Sequence, residues 1–243
     1  MTGGQSVNRF QEGEILLINK PLGWTSFDAV KKIRNVISRE TGIKKIKVGH
    51  AGTLDPLADG LLIICTGRFT KKIEQFQEME KEYTGTFFLG ATTPSFDSET
   101  EIDQTWDTDH LPDEMLRKCA AGFLGESDQI PPLFSAIKTD GVRAYHHARN
   151  QDIVELKPRR IAISRFDLTR IELPEVDFLV TCSKGTYIRA LARDFGIALR
   201  SGAHLTKLTR TRIGHYSLTD AMRLVEFEQQ IRELHNPGQQ DDE

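Results

Sequence analysis

The chain has 243 residues, 38% of them hydrophobic and 28% charged, with a net charge of −3. That is the balance of a soluble globular protein with one large domain or two small ones. It does not by itself mark a nucleic-acid binder, although a global balance can hide a local basic face. The three cysteines, Cys65, Cys119 and Cys182, lie too far apart for metal-ligand spacing, and their odd number suits free thiols in a reducing compartment. Met1 to Phe10 has no apolar signal core and no run reaches the length of a membrane span. The expected location is therefore cytoplasmic.

In chain order, Glu14 to Asn19 reads as a buried strand closed by Lys20-Pro21-Leu22-Gly23. Ser26 suits a helix N-cap, with Val30, Ile33, Val36 and Ile37 at helical spacing behind it and Gly42 as the stop. Apolar runs at Ile46 to Val48 and Leu61 to Ile64 flank Gly49-His50-Ala51-Gly52-Thr53-Leu54-Asp55-Pro56-Leu57-Ala58-Asp59-Gly60. Thr70 to Gln77 reads as a short helix. Lys81 to Ala91 alternates as a strand, with Tyr83, Gly85, Phe87 and Leu89 on one face. Thr92 to Asp109 is polar and turn-rich, and Pro112 to Gly122 fits a helix opened by proline. The span 129–160, with Pro131-Pro132, a turn at Asp140-Gly141 and the polar run Tyr145 to Asn150, has the character of an insertion or lid. Arg159 to Ile171 and Glu175 to Cys182 read as a hairpin, Thr186 to Arg200 as a helix, His204 to Tyr216 as strand, and Leu218 to Leu234 as a helix. Residues 236–243 form an acidic tail. Interspersed helices and strands give a mixed class, α/β or α+β, with one sheet.

The loop from Gly49 to Gly60 is the first candidate for chemistry. Glycine and proline pin it between two buried strands, and Asp55 precedes Pro56, which favours an extended backbone there. On local chemistry alone the carboxylate is either a reactive group or a turn aspartate that accepts from backbone amides. Asp59, next to Gly60, reads as the turn residue that closes the loop. Tyr83, Tyr187 and Arg189 lie in ordered segments and are the other candidates. Tyrosines offer flat faces for a nucleobase and a hydroxyl that can move a proton, and an arginine keeps a neighbouring carboxylate ionised. Each has an ordinary structural alternative, as a core-edge tyrosine or a surface ion pair. The chain contains no nucleophile-elbow, phosphate-loop or dinucleotide fingerprint. His146-His147 is a poor metal site, because adjacent residues on a helix point apart. Lys71, Arg159, Arg160, Lys207 and Arg210, each within a basic cluster, are candidates for a phosphate-binding surface or simply for a solvated face.

The Gly49 to Gly60 stretch closely resembles the signature of the bacterial tRNA pseudouridine synthase B family. Further motifs agree in order: Lys20-Pro21-Leu22-Gly23 with Ser26, Lys81-Glu82-Tyr83 leading to Leu89-Gly90, Gln129-Ile130-Pro131-Pro132 with Ser135-Ala136-Ile137-Lys138, Cys182-Ser183-Lys184-Gly185-Thr186-Tyr187-Ile188-Arg189, and Gly202-Ala203-His204-Leu205 through Leu208 to Arg210. The resemblance covers residues 14 to 216. It implies a pseudouridine synthase fold, mixed α and β around a central, largely antiparallel sheet with flanking helices, in which 129–160 is a flexible RNA-binding insertion within a catalytic domain spanning 1–235. It implies conversion of uridine to pseudouridine at position 55 in the T-stem-loop of tRNA, by base flipping, with no metal and no cofactor. By that resemblance Asp55 is the nucleophile, His50 stacks where the base leaves, Tyr83 lies against the flipped uracil, Tyr187 and Leu208 hold the base, and Arg189 pairs with Asp55. The expected partner is the tRNA T-stem-loop, with no membrane, and with no guide RNA because guide-dependent relatives need partner-binding domains for which the chain lacks room; a monomer is expected. The alternative of a different class is an RNA-folding chaperone that binds and unfolds the T-arm without chemistry, a role that can coexist with the reaction. Many members carry a second small RNA-binding domain. Only 27 residues follow Tyr216, so that domain is expected to be absent or reduced to a helix, and an isolated T-stem-loop to react nearly as well as whole tRNA.

Overall fold

The structure, a computed structural model, describes residues 9–134, 138–139, 142–143 and 156–235. Strand β1 (Ile15–Lys20) alternates between half-buried and buried side chains. Helix α1 (Ser26–Thr41) buries Ala29, Val30, Ile33, Val36 and Ile37 along one face, and Gly42 closes it at φ 73°, a conformation that glycine adopts without a Cβ clash. Its start differs from expectation. Thr25 is the N-cap: its hydroxyl accepts from the Asp28 N–H at 3.1 Å, and the Asp28 carboxylate accepts from the Thr25 N–H at 3.0 Å. This reciprocal capping box leaves Ser26 one residue inside the helix, buried, with its hydroxyl available for another partner.

Strands β2 (Val48–His50) and β3 (Asp59–Thr66) flank the aspartate loop. The stretch expected as one helix from Thr70 to Gln77 is divided between a 3₁₀ turn, Gly67–Lys72, and α2 (Ile73–Glu78). Then follow β4 (Lys81–Leu89), β5 (Ala91–Thr92), β6 (Gln104–Thr105), α3 (Asp113–Ala121), β7 (Gly125–Gln129), β8 (Lys138–Thr139), β9 (Val142–Arg143), β10 (Arg159–Glu172), β11 (Glu175–Cys182), α4 (Ile188–Ala198), β12 (Ala203–Ile213), β13 (Tyr216–Ser217), β14 (Met222–Arg223) and α5 (Leu224–His235). Helix α5 starts later than Leu218. The Ser217 hydroxyl accepts from the Thr219 N–H and caps a separate 3₁₀ turn, and Met222 and Arg223 pair with β1. Strands β8 and β9 pair around the expected Asp140-Gly141 turn. That turn, His146-His147, the rest of the insertion and the tail 236–243 lie outside the described residues.

By contacts the chain divides into two compact units, residues 1–79 with 209–243, and residues 80–208. In the first, β1 runs antiparallel to β3 and parallel to β14, β2 is antiparallel to β3, and the end of β12 runs parallel to β3. Strand β3 is buried nearly throughout, as its continuous apolar run predicts. Its successive residues serve opposite faces. Leu62 and Ile64 join Ile18, α1 residues, Phe227 and Ile231 in one cluster, while Leu61, Ile63 and Cys65 join Phe76 and Ile213 in another. Glu228 on α5 accepts from Arg39 on α1 at 2.7 Å and pairs with Lys32.

In the second unit β4, β11, β10 and β7 form consecutive antiparallel pairs, and β12 lies on the other side of β4. The β10–β11 hairpin is the one read from sequence. Phe87 stacks on Phe178 at 4.2 Å between ring centroids, and Phe166 and Phe195 pack around them. Gly85 permits the approach of β12: a Cβ there would come 2.2 Å from the Lys207 carbonyl oxygen. The class is mixed α/β, with mostly antiparallel strands and flanking helices, as expected.

Candidate active site

In the first unit the loop between β2 and β3 carries Asp55, half-buried, between buried Leu54 and exposed Pro56. The loop is poor in side chains that could fix it, so its backbone is held from outside. Ser26 Oγ accepts from the Leu54 N–H at 2.8 Å and donates to the Leu54 carbonyl at 3.2 Å. The Gly23 N–H donates to the Pro56 carbonyl at 2.8 Å, and the Ala51 N–H to the Ile63 carbonyl at 2.9 Å. The Ala58 N–H closes a turn on the Asp55 carbonyl at 3.1 Å. Asp55 thus sits at the tip of a segment whose neighbours on both sides have fixed partners.

Two charged groups share this environment. Lys20 is fully buried and its ammonium donates to the carbonyls of Trp24 (2.6 Å) and Pro21 (3.1 Å). Burial lowers its pKa to about 8, against the opposing pull of Asp59 and Asp55. Asp59 does not merely close a turn: it opens β3, and its carboxylate accepts from the Thr209 hydroxyl on the paired strand. His50 ends β2 half-buried. Burial pushes its pKa below the usual imidazole range, the Gly52 backbone opposes this, and the charge of Arg210 adds to it.

In the second unit Tyr83 is 9% exposed on β4, and Tyr187 is the half-buried residue that precedes α4. The Gln129 side chain clamps Tyr187: its Oε1 accepts from the Tyr187 N–H at 2.9 Å and its Nε2 donates to the Tyr187 carbonyl at 3.1 Å. Arg189, 5% exposed on the first turn of α4, donates to the carbonyls of Phe134 (2.8 Å) and Ser95 (3.3 Å) and lies 3.5 Å from the Asp97 carboxylate. That carboxylate is oriented in turn. Asp97 Oδ1 accepts from the Glu99 N–H at 2.9 Å, and its carbonyl accepts from the hydroxyls of Thr93 and Ser95. Phe96, at φ 62°, makes the tight corner and accepts from the Leu205 N–H on β12. Leu208 is half-buried on β12.

The basic candidates divide. Lys71, Arg159 and Lys207 are exposed and open to a phosphate. Arg160 is exposed but already pairs with Glu126 (3.0 Å) and Asp128 (3.7 Å) on the neighbouring β7. Arg210 differs from its expected place on the RNA backbone. It is 1% exposed, with its guanidinium turned to the carbonyls of Leu61 (2.8 Å), Gly52 (3.2 Å) and Thr53 (3.5 Å). A phosphate could reach it only by displacing the loop.

Sequence reasoning passed over Asp97, Gln129 and the buried state of Lys20. The hydroxyl-rich run from Thr93 to Thr100 signals a structured turn, but nothing local says that its aspartate faces an arginine far along the chain. Burial raises the Cys65 thiol to about 11 and the Cys182 thiol to about 12, so neither is a thiolate near neutral pH. Among the described residues no cluster of three or more His, Cys, Asp or Glu could hold a metal ion, and no helix is long and apolar enough to cross a membrane.

Residues 39–188 match the TruB family pseudouridylate synthase (N terminal domain), and residues 189–241 match the tRNA pseudouridylate synthase B C-terminal domain. The tRNA pseudouridine synthase B of Flavobacterium johnsoniae is 56% identical over 92% of this chain and 98% of its own length. That of Phocaeicola vulgatus is 55% identical over 93% and 99%. Among solved structures, a chain of a Cbf5-Nop10-Gar1 complex superposes with a TM-score of 0.71 at 26% identity, covering 96% of this chain and 58% of that one. The chain belongs to the TruB family of pseudouridylate synthases, and its class is that of an isomerase.

Proposed function

We propose that the protein isomerises the uridine at position 55 in the T-stem-loop of tRNA to pseudouridine, with Asp55 as the nucleophile. The observation that carries this reading is the Asp55 loop, a half-buried carboxylate on a backbone tied to Ser26, Gly23 and β3. The family assignment supports the reaction type, and the relatives named tRNA pseudouridine synthase B support tRNA as substrate.

The chemistry explains the residue types. The target uridine must leave its stack to be reached, at a cost of a few kcal/mol. Protein rings offset the lost stacking, a role that fits neutral His50 and the face of Tyr83. The bond between N1 and the sugar carbon breaks, the detached base turns, C5 bonds to the same carbon, and C5 then gives up its proton. Asp55 serves either by adding to the uracil ring or by attack at the sugar carbon, where charge develops as in glycoside cleavage. Tyr83 takes part in the final proton transfer. Tyr187 and Leu208 hold the base, and Arg189 pairs with Asp55. Exposed Lys71, Arg159 and Lys207 meet the RNA backbone. In this reading the protein needs no guide RNA, acts as a monomer, and also assists tRNA folding while bound.

The test is to incubate purified protein with unmodified tRNA and map pseudouridine. The expected result is one new pseudouridine, at position 55 of the T-loop. Modification elsewhere would reassign the substrate, and none would overturn the reading.

A further inference from the structure

We infer that Arg210 is the positioning residue of the nucleophile loop, fixing the carbonyls of Gly52, Thr53 and Leu61 so that Asp55 is presented in one place. The inference rests on the proposed function and names a residue that serves it.

The loop needs such a support. Gly49, Ala51, Gly52, Ala58 and Gly60 offer almost no side chain of their own. Gly52 and Gly60 have φ of 100° and 101°, backbone that other residues rarely adopt. At Gly60 a Cβ would lie 2.5 Å from the Arg210 carbonyl oxygen, so strand β12 approaches the loop exit as closely as backbones allow. The pairing of Arg210 with Gly60 and Thr209 with Asp59 sets the register. Within it the Thr209 hydroxyl holds the Asp59 carboxylate, and the Arg210 fork reaches back to the loop entry. One planar guanidinium thereby joins Gly52 and Thr53, before Asp55, to Leu61, after it. Lysine, with a single ammonium, cannot span those acceptors.

Stability alone does not explain a guanidinium here. Burying its charge is costly even when hydrogen-bonded, and a well-packed apolar side chain is often as stable or more so. What an apolar residue cannot do is fix three carbonyls on both sides of a reactive side chain. A misplacement of about 1 Å remote from the chemistry can cost about 100-fold in rate.

The test compares wild type, Arg210→Lys and Arg210→Gln by single-turnover pseudouridine formation, by affinity for a T-stem-loop RNA, and by NMR titration of His50. The single-turnover rate is expected to fall about 100-fold for Arg210→Gln and about tenfold for Arg210→Lys, with RNA affinity unchanged. The His50 titration should move to higher pH in Arg210→Gln. A wild-type rate in Arg210→Gln would overturn the inference. So would a loss confined to RNA affinity, which would return Arg210 to the phosphates. If Arg210→Gln does not fold, Gly52→Ala strains the same loop with Arg210 intact and should give the same fall in rate at unchanged affinity. Were wild type to make no pseudouridine, the functional reading would fall, while an unmoved His50 titration in Arg210→Gln would count separately against the clamp.

Discussion

Asp55→Asn is expected to lose pseudouridine formation by on the order of 10⁴-fold or more, the scale of losing a nucleophile, while tRNA binding persists. Asparagine is nearly isosteric, and the loop backbone is held through Ser26, Gly23 and Arg210. The fold and the RNA-facing surface should survive. Single-turnover assays on tRNA with direct pseudouridine detection give the rate, and filter binding gives the affinity. Product at the wild-type rate would remove Asp55 from its role. An inactive variant that still accelerates tRNA folding would establish the chaperone role as separate from the chemistry.

Arg189→Lys should lower the single-turnover rate by about 10²–10³-fold, the range for losing an oriented donor in a closed site. The guanidinium reaches the Ser95 and Phe134 carbonyls and the Asp97 carboxylate at once, from a position 5% exposed. Lysine keeps the charge but lacks the planar fork that reaches these separated acceptors at once, so some of them lose a buried partner. Asp97→Asn tests the same device from the other end and should be impaired in the same assay, because Asp97 is fixed by the Glu99 N–H and aimed at Arg189. Wild-type turnover in Arg189→Lys would show that charge alone suffices there.

Periodicity made most of the scaffold legible. The stripe on α1, the continuous apolar run of β3, the alternation of β4 and the hairpin of β10 and β11 all record which side chains leave water. What was not legible are hydrogen bonds between remote segments. Thr25 and Ser26 are adjacent hydroxyls, and either could cap α1. Only the capping box with Asp28 assigns the cap to Thr25. Asp59 resembled a turn residue because its partner, Thr209, is 150 positions away. By sequence Arg210 falls in one basic cluster with Lys207, yet residues three apart on a strand face opposite sides. That period in β12 separates exposed Lys207 from buried Arg210 and puts Arg210 on the side of Leu208. The aspartate loop itself was legible as a motif, whereas the groups that immobilise it were not.

The bond from Ser26 to Leu54 ties the loop to the first turn of a 16-residue helix. Proteins open locally in cooperative blocks, and a segment fastened to a block shares its opening free energy. The segment bearing Asp55 therefore has no inexpensive fluctuation of its own: the Leu54 amide becomes free to exchange with solvent only when Ser26 lets go, at the root of α1. A loop by sequence, it is by local stability an extension of the helix.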